Sequence, residues 1–187
     1  MRTAQPDKRT RLIETATKLA YRRGFRETSL ADIAEAARVP VGNVYYYFKT
    51  KEELAEAVVE LRLEEFRAAR AEWDRSSSSK ERLLAFVGSI QANREQLARG
   101  GCPLGGLCTE LRKEGGALAK KSAALFTEPM GWLEDQFRAA GHEEDARELS
   151  AHLFCAFQGI AAVAYAANDP DLVVMEVKRL KNWINTL

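Results

Sequence analysis

Residues 28–51 read TSLADIAEAARVPVGNVYYYFKTK, and this stretch decides the fold. Leu30, Ile33, Ala34 and Ala37 recur at the spacing of one helix face. Ser29 stands three residues before Asp32, the spacing of a capping box that starts a helix. Arg38-Val39-Pro40 breaks the pattern. Pro40 pushes Val39 out of helical geometry and itself suits the first turn of a new helix. That second helix, expected over about 41–48, is too short to be stable alone. Its exposed side should hold Val41, Gly42, Asn43 and Tyr46, with Val44 and Phe48 turned inward. A helix, a tight turn and a short second helix with a small polar tip is the layout of a helix-turn-helix DNA reader.

Moving outward, charge is divided along the chain. Net charge over the 187 residues is only +1. Residues 1–50 hold ten Lys/Arg (Arg2, Lys8, Arg9, Arg11, Lys18, Arg22, Arg23, Arg26, Arg38 and Lys49) against five acids, a net of +5. Residues 51–187 hold 18 basic against 22 acidic groups, a net of −4. A basic front on an acidic body fits phosphate binding at one end, although charged helix faces are also commonly just solvated. No run of about 18 apolar residues stands out, so no membrane segment is expected. The N-terminus lacks the apolar core of a signal peptide, and three cysteines do not suggest a secreted disulfide framework. A cytoplasmic protein is the simplest expectation.

No segment alternates with the period of a strand, and the expected fold is all-α with about nine helices. A first helix over about 7–23 precedes the reader and ends at Gly24. Thr50-Lys51-Glu52-Glu53 has capping-box spacing and starts a long connecting helix, 51–73. The expected division is a DNA-binding domain over 1–50 and a C-terminal effector and dimerisation domain over 51–187. In the latter, Ser78 with Glu81 starts a helix carrying Leu83, Leu84, Val87 and Ile90. Glycines at 100–106 and 115–116 interrupt the pattern. A helix over about 143–167 ends in GIAAVAYAA, apolar nearly all round and therefore expected to be buried, with Cys155 in the core. Asp169-Pro170-Asp171 starts the last helix. Two late amphipathic helices suit either their own core or a four-helix interface with a second copy; the two-fold needs of helix-turn-helix binding favour the copy. The interface residues expected on that reading are Phe157, Ile160, Ala164, Leu172, Val177, Leu180, Trp183 and Ile184.

Residues 8–62 resemble the DNA-binding domain of the TetR/AcrR family of bacterial transcriptional repressors. The resemblance rests on Gly24-Phe25, Thr28, Ile33-Ala34, Ala37, Val39, Gly42-Asn43, Tyr45-Tyr46-Tyr47-Phe48 and Lys51-Glu52-Glu53-Leu54. It implies a ligand-responsive repressor that dimerises through its last two helices and binds a near-palindromic operator in double-stranded DNA. Val41, Gly42 and Asn43 open the recognition helix: Asn pairs with adenine, Val meets a thymine methyl, and Gly allows close approach. Thr28, Tyr46, Tyr47 and Lys51 match positions that contact phosphates in the family, and Tyr45 is expected to divide between core and DNA. Where the family often has Ser, this chain has Pro40, which has no N–H to offer a phosphate.

The resemblance also implies a small-molecule effector pocket in the C-terminal domain. Candidate lining residues are Phe66, Trp73, Phe86, Ile90, Leu111, Phe126, Trp132, Phe154 and Gln158, a set that also reads as plain aromatic core. Cys102 and Cys108 lie in GCPLGGLCTEL, which resembles a short Gly-Cys motif in one branch of the family. Thiol or electrophile sensing at Cys102 is the alternative trigger, against two small buried hydrophobes. Enzyme chemistry finds no support. His142 and His152 lack a ligand set at metal spacing, and no G-x-S-x-G or phosphate loop occurs, so neither metal nor cofactor is expected. A helical interaction module without DNA binding leaves the three tyrosines beside a basic face unexplained.

Overall fold

A computed structural model describes residues 6–187; Arg2, counted in the basic front, lies outside them. The described residues fold into eleven helical segments without a strand: α1 (Lys8–Arg23), α2 (Leu30–Ala36), α3 (Val41–Tyr47), α4 (Lys51–Trp73), α5 (Ser79–Ala92), α6 (Arg94–Gly100), α7 (Pro103–Glu114), α8 (Gly116–Ser122), α9 (Ala124–Ala139), α10 (Ala146–Ala167) and α11 (Pro170–Thr186). The all-α expectation holds. The short α6 and α8 are the pieces that periodicity had merged with their neighbours.

Contacts divide the chain into two compact units. Unit 1 holds the described residues up to Glu64 together with Gly106–Leu125; unit 2 holds Glu65–Gly105 and Phe126–Leu187. The division falls within α4, α7 and α9. It assigns the first half of α4 and most of α7 to the reader's unit, where sequence composition alone suggests a break near residue 50.

In unit 1, local capping sets the helix ends. Asp7 accepts from the Thr10 N–H at 2.8 Å to start α1. Ser29 and Asp32 form the reciprocal capping box of α2, with Asp32 N–H to Ser29 Oγ at 3.1 Å and Ser29 N–H to Asp32 Oδ2 at 2.9 Å. The other end of α2 closes in a Schellman motif. Arg38 N–H bonds the Glu35 carbonyl (3.0 Å) and Val39 N–H bonds the Ala34 carbonyl (2.9 Å). Arg38 is left-handed there (φ +53°), a position that usually takes Gly. Arg11 donates to the carbonyls of Ala37 and Arg38, placing a cation at the negative end of α2. Leu12, Ile33, Ala34, Val44, Phe48, Leu54 and Val58 pack beneath these helices as the core.

In unit 2, α11 packs on α5, α6 and α10, and α10 also packs on α6. Phe86, Val87, Leu133, Phe137, Leu153, Phe154, Val177 and Ile184 form the core. Two expectations are corrected. The second half of α10 is not buried all round: Ile160, Ala161 and Ala164 face the core, while Gly159, Ala162, Val163, Tyr165 and Ala166 face outward. Cys155 lies on the outward side too and is exposed, not core. By length and composition α10 is also apolar enough to cross a membrane (22 residues, mean hydropathy 1.4 in its most apolar window), because its alanines and glycine fill the gaps between larger residues. A third of that window is buried inside unit 2.

Candidate nucleic-acid interface

The short α3 displays its outer face to solvent. Val41, Gly42, Tyr45 and Tyr46 are exposed and Asn43 and Tyr47 half-buried, while Val44 and Phe48 are buried beneath them. Pro40 immediately precedes the helix, and its carbonyl accepts the Asn43 N–H at 2.8 Å. Nothing lies within 4 Å of a Cβ built on Gly42, so the tip at its backbone is open for close approach. Tyr46 is 76% exposed and meets Tyr47 edge-to-face at 5.0 Å. An exposure that large removes the reading of Tyr46 as a helix-packing aromatic. Tyr45, expected to be half core, is also exposed.

Cations flank this tip. Lys49 Nζ donates to the Tyr45 carbonyl (2.9 Å), and Arg9 lies over the Phe48 ring at 5.3 Å. At the start of α4, Thr50 Oγ1 accepts the Glu53 N–H (3.1 Å) and Glu53 accepts the Lys49 N–H (2.7 Å). This cap sets Lys51 as the first helical residue. Lys51 Nζ donates to the Arg26 carbonyl at 2.8 Å and sits 5.2 Å from the Phe25 ring, keeping further N–H groups for a phosphate.

Thr28 departs from expectation. It is fully buried, its hydroxyl donates to the Gly24 carbonyl (2.8 Å) and it accepts from Arg23 Nε (3.3 Å). It pins the α1–α2 loop instead of facing a phosphate, because a threonine hydroxyl is satisfied as well by a local carbonyl as by an external ligand.

The other candidate residues are placed in two groups. In unit 2 the rings of Phe66, Trp73, Phe86 and Trp132 form one cluster, with neighbouring centroids 5.2–6.3 Å apart, and Phe126 meets Phe154 at 5.1 Å. The indole N–H of Trp132 donates to Asp74 at 3.0 Å. Ile90 belongs to the same core. Leu111 is apart from the set: it is buried in unit 1 and lines a cavity of about 140 Å³ there with Phe25, Lys51, Glu110 and Leu118. The Gln158 amide donates to Cys102 Sγ (3.5 Å), and a Cβ on Gly105 would fall 2.4 Å from Gln158 Oε1. Its polar end is therefore engaged locally. Cys108 is buried, and burial pushes its thiol up from the ordinary value against the smaller opposing pull of Arg112.

The expected dimer residues divide by burial. Ile160, Ala164, Val177, Leu180 and Ile184 are all buried in the chain's own core, and Phe157, Leu172 and Trp183 pack partly against it. Phe157 meets Phe86 at 6.0 Å and Trp183 meets Phe137 at 6.0 Å. An apolar face left uncovered runs along the outside of α10, through Cys155, Gly159, Ala162, Val163 and Ala166, with Tyr165 also exposed. Its i, i+4, i+7 spacing was readable as a second apolar stripe.

Two helices joined by the Arg38–Pro40 turn, with the second presenting a polar-aromatic tip beside cations, define a helix-turn-helix domain. Residues 12–58 match the family model "Bacterial regulatory proteins, tetR family", and the chain belongs to that family of transcriptional regulators, which are not enzymes. It is 44% identical over 52 residues to the HTH-type transcriptional regulator TtgR of Pseudomonas putida, spanning 28% of this chain and a quarter (25%) of that protein. It is 30% identical over 164 residues to the transcriptional regulator AcuR of Cereibacter sphaeroides, spanning 86% of this chain and 66% of that protein. A TetR transcriptional regulator from Legionella pneumophila shares the fold over 98% of both chains, with a TM-score of 0.85 at 19% identity.

Proposed function

We propose that this chain is a transcriptional repressor that binds a near-palindromic operator in double-stranded DNA as a homodimer and is released by a small, largely apolar effector. The observation that carries the reading is the tip of α3, where Val41, Gly42, Tyr45 and Tyr46 are exposed and Asn43 half-buried beside Lys49 and Lys51. A 76% exposed tyrosine next to ammonium groups serves a polyanion better than it serves a solitary fold. Asn43 is assigned to a base edge, and Tyr46, Tyr47 and Lys51 to phosphates. One short helix reads few bases, so two copies engage half-sites about 34–36 Å apart or a multiple of one helical turn. The outer face of α10 is assigned to the dimer contact. The effector is assigned to the aromatic cluster around Phe66, Trp73, Phe86 and Trp132. α4 carries Lys51 as its first residue and Trp73 as its last, which makes it the lever between effector and phosphate. The test is DNA binding against salt, followed by footprinting. Steep weakening with salt and two protected half-sites are expected; salt-independent binding or a single half-site overturns the reading.

A second trigger has its own observation. Cys102 Sγ accepts the Gly105 N–H (3.3 Å) and the Gln158 amide (3.5 Å) immediately before α7. Two N–H donors thus point at one sulfur beside the start of a helix. Cys102→Ser separates the triggers: it abolishes a response to electrophiles and leaves an effector response intact.

A further inference from the structure

One carboxylate reaches the α1–α2 loop from far along the chain. Glu110, on the part of α7 that belongs to unit 1, accepts the backbone N–H groups of Phe25 (2.8 Å) and Arg26 (2.5 Å), 85 and 84 residues away. Lys51 holds the same loop from the other side through the Arg26 carbonyl. The Arg26 backbone is thus gripped by an anion at its N–H and a cation at its C=O. The fit is close. Gly24 has φ +88°, where a side chain is strained, and a Cβ there would lie 3.3 Å from Glu110 Oε1.

Part of this grip satisfies the loop: Phe25 is buried, and Glu110 is the acceptor of its N–H. The Arg26 bond is not needed in that way, because Arg26 is exposed and Thr28 already ties the loop to Gly24. A carboxylate accepting both N–H groups also adds geometry, since charge-assisted pairs of this kind are short and directional. What they orient are Arg26 and Lys51, two cations carried by the reader's unit.

We propose that Glu110 is a positioning residue for DNA binding: through the backbone of Phe25 and Arg26 it holds the side chains of Arg26 and Lys51 where phosphates meet them. Glu110 itself touches no DNA. The inference rests on the DNA-binding reading above and adds a residue outside the helix-turn-helix to it.

The test uses the full chain and Glu110→Gln, which keeps the size of the side chain but replaces one acceptor by a donor; Glu110→Ala is the second variant. In Glu110→Gln, whose amide oxygen still accepts the Phe25 N–H, hydrogen exchange at the Arg26 amide should quicken while the melting temperature stays near wild type; Glu110→Ala should also lose some stability through Phe25. DNA affinity should fall about fivefold or more, by the same factor on operator and unrelated DNA, with a shallower salt slope. Arg26→Ala should then cost less affinity in the Glu110→Gln background than in wild type, because the two act through one contact. In Glu110→Gln, a merely structural role would lower the melting temperature and leave these costs additive, which overturns the proposal. So does wild-type DNA affinity in both variants. If wild type binds no DNA at all, the DNA-binding reading falls and the proposal with it.

Discussion

α3 and the outer face of α10 both put more apolar surface in water than a solitary domain needs, and they do so in opposite ways. α3 exposes Tyr45 and Tyr46, amphipathic rings with hydroxyl tips, between Lys49 and Lys51. α10 exposes Gly159, Ala162, Val163 and Ala166, small and aliphatic, with a single tyrosine, Tyr165, beside them and no charged residue between His152 and the helix end. An exposed ring with a polar handle beside ammonium groups suits a wet, charged partner such as a phosphate backbone. A smooth aliphatic face suits another protein surface packed at close range. Exposure alone does not identify a partner; the chemistry of the edge around it does.

The largest effect expected from breaking this comparison is on α10. Val163→Glu places a charge on the outer face without touching the core, and it should give folded monomer with operator affinity reduced on the order of 10²-fold or more, because the second half-site is no longer tethered. Sedimentation against operator titration checks this. Leu180→Ala, by contrast, opens a cavity in the chain's own core and should cost about 2–5 kcal/mol of stability. Cys155 supplies an independent reading: its alkylation should slow as protein concentration rises, if a second copy covers the face. Val163→Glu that remained dimeric would move the interface elsewhere.

These two regions were not equally legible in the sequence. The reader follows from local signals: Ser29 with Asp32, Pro40, and the 3.6-residue spacing of Ile33, Ala37, Val44 and Phe48. α10 carries two apolar stripes, one through Leu153, Phe154, Ile160, Ala161 and Ala164 and one through Cys155, Gly159, Ala162, Val163 and Ala166. Periodicity finds both and does not say which one the chain covers itself. The family pattern assigns Thr28 to a phosphate, whereas its hydroxyl is satisfied by a carbonyl four residues back. Glu110 left no signal, since the N–H groups it accepts lie 85 and 84 residues away and long-range pairing has no local pattern; Leu111 falls outside the expected cluster for the same reason.

Within the reader, Asn43 and Lys51 sharpen the comparison further. Asn43→Ala should cost about 1–3 kcal/mol on the best operator and relax preference at one base position. Lys51→Ala should weaken all sequences alike and lower the salt slope by about one. A panel of operators measured at several salt concentrations separates them. Identical behaviour of the two variants would mean that the tip of α3 does not face bases.

Arg38 offers a smaller effect, of the opposite sign. Its left-handed backbone costs a non-glycine residue roughly 1 kcal/mol. Arg38→Gly should recover part of that in thermal stability while removing one cation beside the reader. The gain shrinks if the greater freedom of glycine in the unfolded chain dominates. Denaturant midpoints of the two proteins decide between these outcomes.

The smallest expected effect is a pH dependence at the start of α2. Ser29 Oγ donates to Asp32 Oδ2 at 2.7 Å and its N–H does so at 2.9 Å, while Arg23 stands 2.8 Å away. These hydrogen bonds from Ser29, then the Arg23 charge, hold the carboxyl below the usual aspartate value. The sign follows from linkage. A folded-state pKa below the unfolded one means that the unfolded chain binds more protons, so the stabilisation is complete above the unfolded value, near 3.8, and is lost as pH falls through the lower folded value. Between neutral pH and about pH 5 nothing should change. Both groups of the Arg23–Asp32 pair are substantially exposed, so solvent screens the effect and it remains slight. Asp32→Asn should therefore be slightly less stable than wild type at pH 7, and the difference should narrow below about pH 4 as the wild-type carboxyl protonates. Asp7, lowered chiefly by the Thr10 N–H at the start of α1, is untouched by this variant and marks the background acid response. A difference that stayed constant from pH 7 to 2 would show that the Ser29–Asp32 box does not hold in solution, and would leave the start of α2 to the packing of Ile33 and Ala34 alone.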